Sequence, residues 1–248
     1  MSFKDHFSGH ADAYAQYRPH YPEGLFRCLA DQAPGRALAW DCATGNGQAA
    51  LGLRPYFEKV VATDASEKQV AQTSFDPKIE YWIAAADDSG LPATSVDLVT
   101  VAQALHWFDF DKFFAEVRRV LWSRGCLAAW GYHLLHCDAD IDPVLEDFYA
   151  RVVGAYWPPE RRWVEEKYHT IPFPFEERPV PEFAMHAEWD LEATLGYLGT
   201  WSAVQKYREA RGEDPLVELR KKTAPLWGDP LRVRAIRWPI FLRLGCLA

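Results

Sequence analysis

A short apolar run that passes into a helix through two glycines constrains this 248-residue chain more than any other feature. Residues 37–40 have the composition of a buried strand, and residues 49–57 can be helical. Gly45 and Gly47 lie between them, where glycine permits positive φ and lets a ligand approach the main chain. The first turn of a helix adds unpaired N–H donors at the same place. The segment therefore predicts a strand–turn–helix unit that binds a ligand at its turn.

Two acidic residues stand at the ends of the first two predicted strands. Asp41 directly precedes the glycine turn, and Asp64 ends the next apolar run, residues 60–63. A carboxylate at the end of the second strand can accept hydrogen bonds from both hydroxyls of a ribose. The pair of strands therefore indicates a ligand that contains a nucleoside.

Two classes of cofactor fit this layout, and the glycines alone do not separate them. Gly45-x-Gly47-x-x-Ala50 matches the dinucleotide fingerprint, so an NAD-type Rossmann oxidoreductase is one alternative. Asp41 opposes it, because a carboxylate beside the turn would repel a pyrophosphate. S-adenosylmethionine carries an ammonium and a cationic sulfur instead, which an acid at this position suits. A turn that uses its glycines only for packing, and a cofactor-binding protein without turnover, are the other readings.

The run from 41 to 47, DCATGNG, resembles the first motif of the class I S-adenosylmethionine-dependent methyltransferases. Ala43 replaces the usual first glycine, and alanine fits there if that residue keeps a negative φ. Residues 64–66, 86–92 and 96–109 resemble the second motif, the third motif and the fourth strand with its loop. Together with an N-terminal segment that contains Tyr14, Tyr17 and Arg18, they resemble a subgroup related to trans-aconitate methyltransferase.

The resemblance implies an α/β fold of the Rossmann-like class I methyltransferase type, formed by one domain over residues 1–248. It implies a mostly parallel seven-stranded sheet with helices on both faces and an antiparallel last strand. The alternation of elements also predicts a mostly parallel sheet, with strands near 37–41, 59–64, 79–84, 96–102, 125–132, 182–189 and 232–244. Alternation fails over residues 133–181, which we interpret as a partly helical, cap-like insertion over the active site.

Ligands of open α/β sheets bind beyond the carboxyl ends of the strands. The resemblance implies that Gly45 and Gly47 face the methionine part of the cofactor, Asp64 the ribose and Asp87 the adenine amino group. The cofactor-binding residues that we expect are Tyr14, Arg18, Asp41, Ala43, Thr44, Gly45, Gly47, Gln48, Asp64, Ala65, Ala86, Asp87, Gln103, Ala104 and Trp107.

His106 follows the fourth predicted strand, where the resemblance places the transferable methyl group. It would act as the base if the acceptor is a hydroxyl or an amine, since its ordinary pKa lies near 6.5. A carboxylate acceptor needs no base, and in that case His106 orients the substrate. Alternatively, His106 only anchors its loop by a hydrogen bond.

Aromatic and basic residues of the predicted insertion and the following helix could bind the acceptor. The substrate candidates are Tyr17, His106, His133, Tyr156, Trp157 and Trp201. With Arg151, Arg161 and Arg162 they favour either an aromatic pocket for a planar molecule or a basic pocket for a carboxylate. A solvated basic face is the simpler interpretation of the arginines.

The bulk properties narrow the classes of function further. A net charge of −8 argues against a nucleic-acid partner, and no uncharged run is long enough to span a bilayer. Five cysteines without a C-x-x-C pair indicate reduced thiols and a cytoplasmic protein. His133, His136 and Cys137 lack a second cluster, so we expect no metal site. The expected partner is a small molecule, and the oligomeric state is left open.

Overall fold

Strands and helices alternate through the first half of the computed structural model, which describes residues 19–248. The five parallel strands are β1 (Leu38–Cys42), β2 (Lys59–Asp64), β3 (Ile79–Ile83), β4 (Val96–Ala102) and β5 (Leu121–Tyr132). The helices of this half are α1 (Glu23–Gln32), α2 (Gln48–Leu53), α3 (Glu67–Val70) and α4 (Phe110–Val120). A 3-10 turn, Leu105–Trp107, follows β4.

The second half begins with short helices and then resumes longer elements. The first elements are helix α5 (Asp142–Asp147), a π-helical turn (Phe148–Val152), a 3-10 turn (Gly154–Tyr156) and helix α6 (Arg161–Glu165). Two strands follow, β6 (Glu176–Glu177) and β7 (Phe183–Trp189). The chain then forms the helices α7 (Leu191–Gly199), α8 (Ser202–Arg211) and α9 (Pro215–Trp227) and the last strand, β8 (Arg234–Cys246). Residues 133–181 are thus partly helical, and their function as a cap stays a prediction.

The sheet has the order β3-β2-β1-β4-β5-β8, and both β6 and β7 pair with the outer edge of β8. Strand β8 is antiparallel to β5, as the resemblance implies. Seven strands were expected and eight form, because the two-residue β6 pairs with the last residues of β8 beyond the reach of β7. The predicted fold class is confirmed. The order reverses between β1 and β4, which opens a crevice at their carboxyl ends.

Local sequence explains how the helices begin and which faces they bury. Asp109 accepts a hydrogen bond from the Lys112 main-chain N–H at 3.3 Å, and Asp190 caps α7 in the same way through Ala193 at 2.8 Å. These side chains satisfy N–H groups that a helix start leaves unpaired. Phe113 of α4 is fully buried, as the helical spacing of its apolar residues predicts.

Cys126 and Cys246 form a disulfide, so the expectation of five reduced thiols was wrong. The antiparallel register of β5 and β8 places the two residues directly opposite each other. They are 120 residues apart in the chain, so no local spacing could reveal the pair. Cys28, Cys42 and Cys137 are free thiols. A cytoplasmic location, which rested on reduced cysteines, stays a prediction. Within residues 19–248, no helix has the length and apolar character needed to cross a membrane.

Candidate active site

The turn between β1 and α2 has the left-handed backbone that its glycines predict. Gly45 has a φ of 57° and Gly47 a φ of 85°. A Cβ atom at Gly47 would also lie 2.7 Å from the Tyr81 hydroxyl oxygen, so any other residue there would have to displace the Tyr81 ring. Ala43 has a φ of 54°, so the condition of a negative φ, under which alanine fits without strain, is not met. A left-handed alanine costs about 1–2 kcal/mol, which the surrounding hydrogen bonds must offset.

Asp41 lies fully buried beside this turn. The Thr44 hydroxyl donates to one of its carboxylate oxygens at 2.6 Å, and the Thr100 hydroxyl donates to the other at 2.9 Å. Burial raises the pKa of Asp41 to about 6, and the two hydroxyl bonds oppose that rise. The side chain therefore ties the turn to β4. Contact of Asp41 or Thr44 with a cofactor stays a prediction.

Asp64 connects the glycine turn to the end of β2 by hydrogen bonds. Its carboxylate accepts hydrogen bonds from the main-chain N–H groups of Gly45 and Ser66, both at 2.9 Å. The Thr44 N–H donates to the Thr63 carbonyl at 2.9 Å, so side chain and main chain hold the turn to the end of β2 together. The carboxylate thus lies at the shared carboxyl edge of β1 and β2, between the two predicted halves of the cofactor site.

The remaining candidates on the β1–β3 side of the crevice differ in exposure. The amide nitrogen of Gln48 donates to the Pro19 carbonyl at 3.2 Å. Its amide oxygen is buried and accepts no hydrogen bond from residues 19–248. Ala65 and Asp87 are exposed, and Ala86 is half-buried. These three therefore present a surface that a ligand could cover.

Gln103, at the end of β4, has a visible structural role. Its amide nitrogen donates to the Tyr132 carbonyl at 3.0 Å, and its amide oxygen accepts from the Tyr132 N–H at 2.9 Å. The side chain thereby continues the ladder between β4 and β5 after the strands separate. It fixes the start of the loop that carries Ala104, His106 and Trp107, and a direct cofactor contact of Gln103, Ala104 or Trp107 stays a prediction.

His106 is buried in the 3-10 turn after β4. Its Nδ1 atom lies 2.9 Å from the Tyr168 hydroxyl, and its ring centroid lies 4.7 Å from that of Trp107. Burial, with a smaller contribution from the charge of Arg161, lowers the pKa of His106 to about 3. An imidazole with that pKa is neutral and a weak base near pH 7. The geometry favours the loop-anchoring interpretation over that of a general base.

Three of the substrate candidates gather around one residue that the sequence analysis did not single out. The ring of Tyr149 lies 4.7 Å from His133, 5.1 Å from Trp157 and 5.8 Å from Trp201, measured between centroids. Tyr156 packs against Tyr207 instead, at 5.1 Å. No local pattern marks Tyr149, because its partners come from other segments of the chain.

Three candidates, Tyr14, Tyr17 and Arg18, lie outside the described residues. From Pro19 onward, no group of three or more histidine, cysteine, aspartate or glutamate side chains is arranged to hold a metal ion.

Comparisons with known proteins agree with this geometry. The family model described as a methyltransferase domain matches residues 40–129. A Dictyostelium discoideum protein named as a methyltransferase is 32% identical over 251 residues, which cover 98% of this chain and 95% of that protein. A Saccharomyces cerevisiae protein named as an S-adenosylmethionine-dependent methyltransferase is 33% identical over 128 residues, 48% of this chain and 44% of that protein.

Among solved structures, one from Anaeromyxobacter dehalogenans described as a type II methyltransferase has a TM-score of 0.88 and 45% identity. The match covers 93% of this chain and 98% of that one. Sequence and fold thus agree over almost the whole length. The chain belongs to the class I S-adenosylmethionine-dependent methyltransferases.

Proposed function

We propose that this enzyme binds S-adenosylmethionine in the crevice between β1 and β4 and methylates a carboxylate oxygen of a small molecule. The observation that carries the first part is the left-handed turn at Gly45 and Gly47, which Asp64 holds to the end of β2. Membership of the methyltransferase family argues against the NAD-type alternative. The narrower relationship to trans-aconitate methyltransferase and the cytoplasmic location belong to this proposal.

The residues at the turn fit the cofactor better than they fit a dinucleotide. Asp41 and Asp64 place two carboxyl groups at the turn, where a pyrophosphate would be repelled and a cationic ligand attracted. The amide oxygen of Gln48, a buried acceptor without a partner in the described chain, suits an ammonium group. Gly45, Gly47 and Gln48 would hold the methionine part of the cofactor, and Asp64 would hold the ribose.

The adenine ring would meet Ala86 and Asp87, and Ala65, Gln103, Ala104 and Trp107 would complete the site with Tyr14 and Arg18. When bound, the cofactor supplies a methyl group on a cationic sulfur. The protein contributes position and alignment, which are worth up to about 7–11 kcal/mol of the barrier when the geometry is good.

The state of His106 favours a carboxylate acceptor. Burial keeps this imidazole neutral, and its Nδ1 is engaged with the Tyr168 hydroxyl. A carboxylate oxygen carries no proton to lose, so methyl transfer to it requires no proton acceptor. A hydroxyl or amine would need a stronger base than His106 provides. We infer that His106 holds the loop against Tyr168 and orients the acceptor.

The experiment is a turnover assay with saturating methyl-labelled S-adenosylmethionine and a panel of small organic acids, run from pH 7 to pH 8.5, where Asp41 stays ionised. We expect labelled methyl esters, which mild base converts to labelled methanol, and a rate that changes little across this range. A base-stable product, or a rate that follows a titrating group near pH 7, would assign the reaction to an amine or hydroxyl acceptor. Cofactor binding without any labelled product across the panel would favour a relative without turnover.

A further inference from the structure

An open pocket of about 530 Å³ lies beside the residue that follows β5. This volume is within the range of pockets that hold small ligands. Its walls combine rings, prolines and charges, among them those of His133, Tyr149, Trp157, Pro158, Arg161 and Arg162. We call it the Arg161 pocket.

Arg161 is held in this pocket by two rings and one hydrogen bond. Its guanidinium carbon lies 4.6 Å from the ring centroid of Trp157 and 5.5 Å from that of Tyr149. Its Nε donates to the Tyr149 hydroxyl at 2.9 Å, and that hydroxyl donates to Glu165 at 2.9 Å. These contacts fix the plane of the guanidinium, which lowers the entropy lost when a ligand binds to it.

The terminal nitrogens of Arg161 are available to a ligand. They donate to no oxygen of residues 19–248, and no carboxylate from this part of the chain lies within 4.0 Å of them. Arg151, by contrast, pairs with Asp147 at 3.4 Å on the surface. A guanidinium fixed in place and without a carboxylate is suited to hold an anion in two parallel hydrogen bonds.

The other polar groups around the pocket also favour an anion. The Nε1 of Trp157 and the Nε2 of His133 are buried and have no hydrogen-bond partner within residues 19–248. An indole nitrogen only donates, and a neutral imidazole donates from one of its two nitrogens. Arg162 adds a second positive charge, and its guanidinium lies 4.3 Å from the centroid of the Trp163 ring. Glu165 is the one acidic residue that residues 19–248 contribute to the lining. Donors therefore outnumber acceptors.

We propose that the Arg161 pocket binds a carboxylate that anchors the methyl acceptor, with an apolar, flat body against Trp157 and Pro158. The anchoring carboxylate is separate from the accepting group, because pairing with a guanidinium draws charge from an oxygen and weakens it as a nucleophile. The identity of this ligand as the methyl acceptor rests on the proposed function. The preference of the pocket for a carboxylate over a neutral isostere is independent of the proposed function.

The test measures binding of 4-fluorophenylacetate and of its neutral isostere 4-fluorophenylacetamide by fluorine NMR, with and without S-adenosylhomocysteine. We expect the acid to bind the wild-type protein at least tenfold more tightly than the amide. Arg161→Gln should lower the affinity for the acid at least tenfold, since a charge-assisted hydrogen bond contributes on the order of tenfold or more to affinity. Arg161→Lys should retain part of the affinity, and Arg151→Gln, outside the pocket, should retain all of it.

Calorimetry with S-adenosylhomocysteine on the same variants identifies which carboxylate Arg161 recognises. We expect Arg161→Gln to bind it like the wild type. Weaker binding of S-adenosylhomocysteine by Arg161→Gln would assign Arg161 to the methionine carboxylate of the cofactor and overturn the proposal. Failure of the wild type to bind the acid, equal binding of acid and amide, or unchanged acid binding by a folded Arg161→Gln would also overturn it. If the acid binds and S-adenosylhomocysteine does not, the proposed cofactor is wrong and the pocket stands.

Discussion

The two sides of the candidate site are built in different ways. On the β1–β2 side, main-chain conformation and short hydrogen bonds define the geometry, as at Gly47 and in the bond from Gly45 to Asp64. On the other side, side chains from separate segments define it, as where His133, Trp157 and Trp201 meet at Tyr149. A backbone-built site has little freedom to change its ligand, whereas a site made of side chains can be altered one residue at a time.

We expect the largest loss of stability from a change that lies outside both sides of the candidate site. The disulfide from Cys126 to Cys246 joins the amino-terminal half of β5 to the end of β8, away from the carboxyl edge of the sheet. Replacing both cysteines by alanine should lower the free energy of unfolding by about 2–4 kcal/mol. Chemical denaturation measures this loss. Affinity for S-adenosylhomocysteine should stay within about twofold, and a larger change would show that the two ends of β5 are coupled.

A thiol titration checks the bond itself. The wild-type protein, unfolded without reductant, should expose three thiols, from Cys28, Cys42 and Cys137. Five thiols would contradict the disulfide.

Asp64→Ala tests the backbone-built side most strongly. It removes the carboxylate that accepts from Gly45 and Ser66 and that would accept from the ribose. We expect S-adenosylmethionine affinity to fall on the order of 100-fold, about 2.7 kcal/mol, as measured by calorimetry. Binding of 4-fluorophenylacetate should change much less.

Asp87→Ala is the matched control for this experiment. Its carboxylate is exposed, so its loss should weaken cofactor binding about tenfold or less. Thermal unfolding of both variants separates loss of the ribose contact from disorder of the turn. Wild-type affinity in Asp64→Ala would remove Asp64 from the site.

The low pKa of His106 makes the free energy of unfolding depend on pH. Its pKa is about 3 in the folded protein, against 6.5 as the ordinary value. The unfolded chain therefore binds more protons between these pH values, and stability falls as the pH falls from about 6.5. The loss from this group should reach about 2 kcal/mol at pH 5 relative to pH 7.

His106→Asn removes that group, so its free energy of unfolding should decline less than that of the wild type over this interval. Denaturation at pH 7, 6 and 5 measures the difference between the two slopes. Equal slopes would show that His106 has an ordinary pKa and would reopen its assignment as the base.

The sequence predicts the backbone-built side well because its signals are local. The glycine turn, the acids at the ends of the first two strands and the Asp109 cap each depend on neighbours in the chain, and the structure has them as expected. Tyr149 and the disulfide depend on how distant segments meet, and no periodicity contains that information. The sign of φ at Ala43 is a third feature that the sequence left open. Its residue type permitted a negative φ, but the bonds of Thr44 to Asp41 and Thr63 fix the turn that Ala43 begins.

Ala43→Gly should produce the smallest effect and the only gain. Glycine adopts a φ of 54° without the cost of about 1–2 kcal/mol that alanine bears, but it gains entropy in the unfolded chain worth about 0.5–1 kcal/mol. The net expectation is a stabilisation of about 0–1.5 kcal/mol, with cofactor affinity equal to or slightly above that of the wild type. Denaturant unfolding and calorimetry measure the two quantities. A destabilised Ala43→Gly would mean that Ala43 has a negative φ after all, and that the first turn of the site is less constrained than its hydrogen bonds indicate.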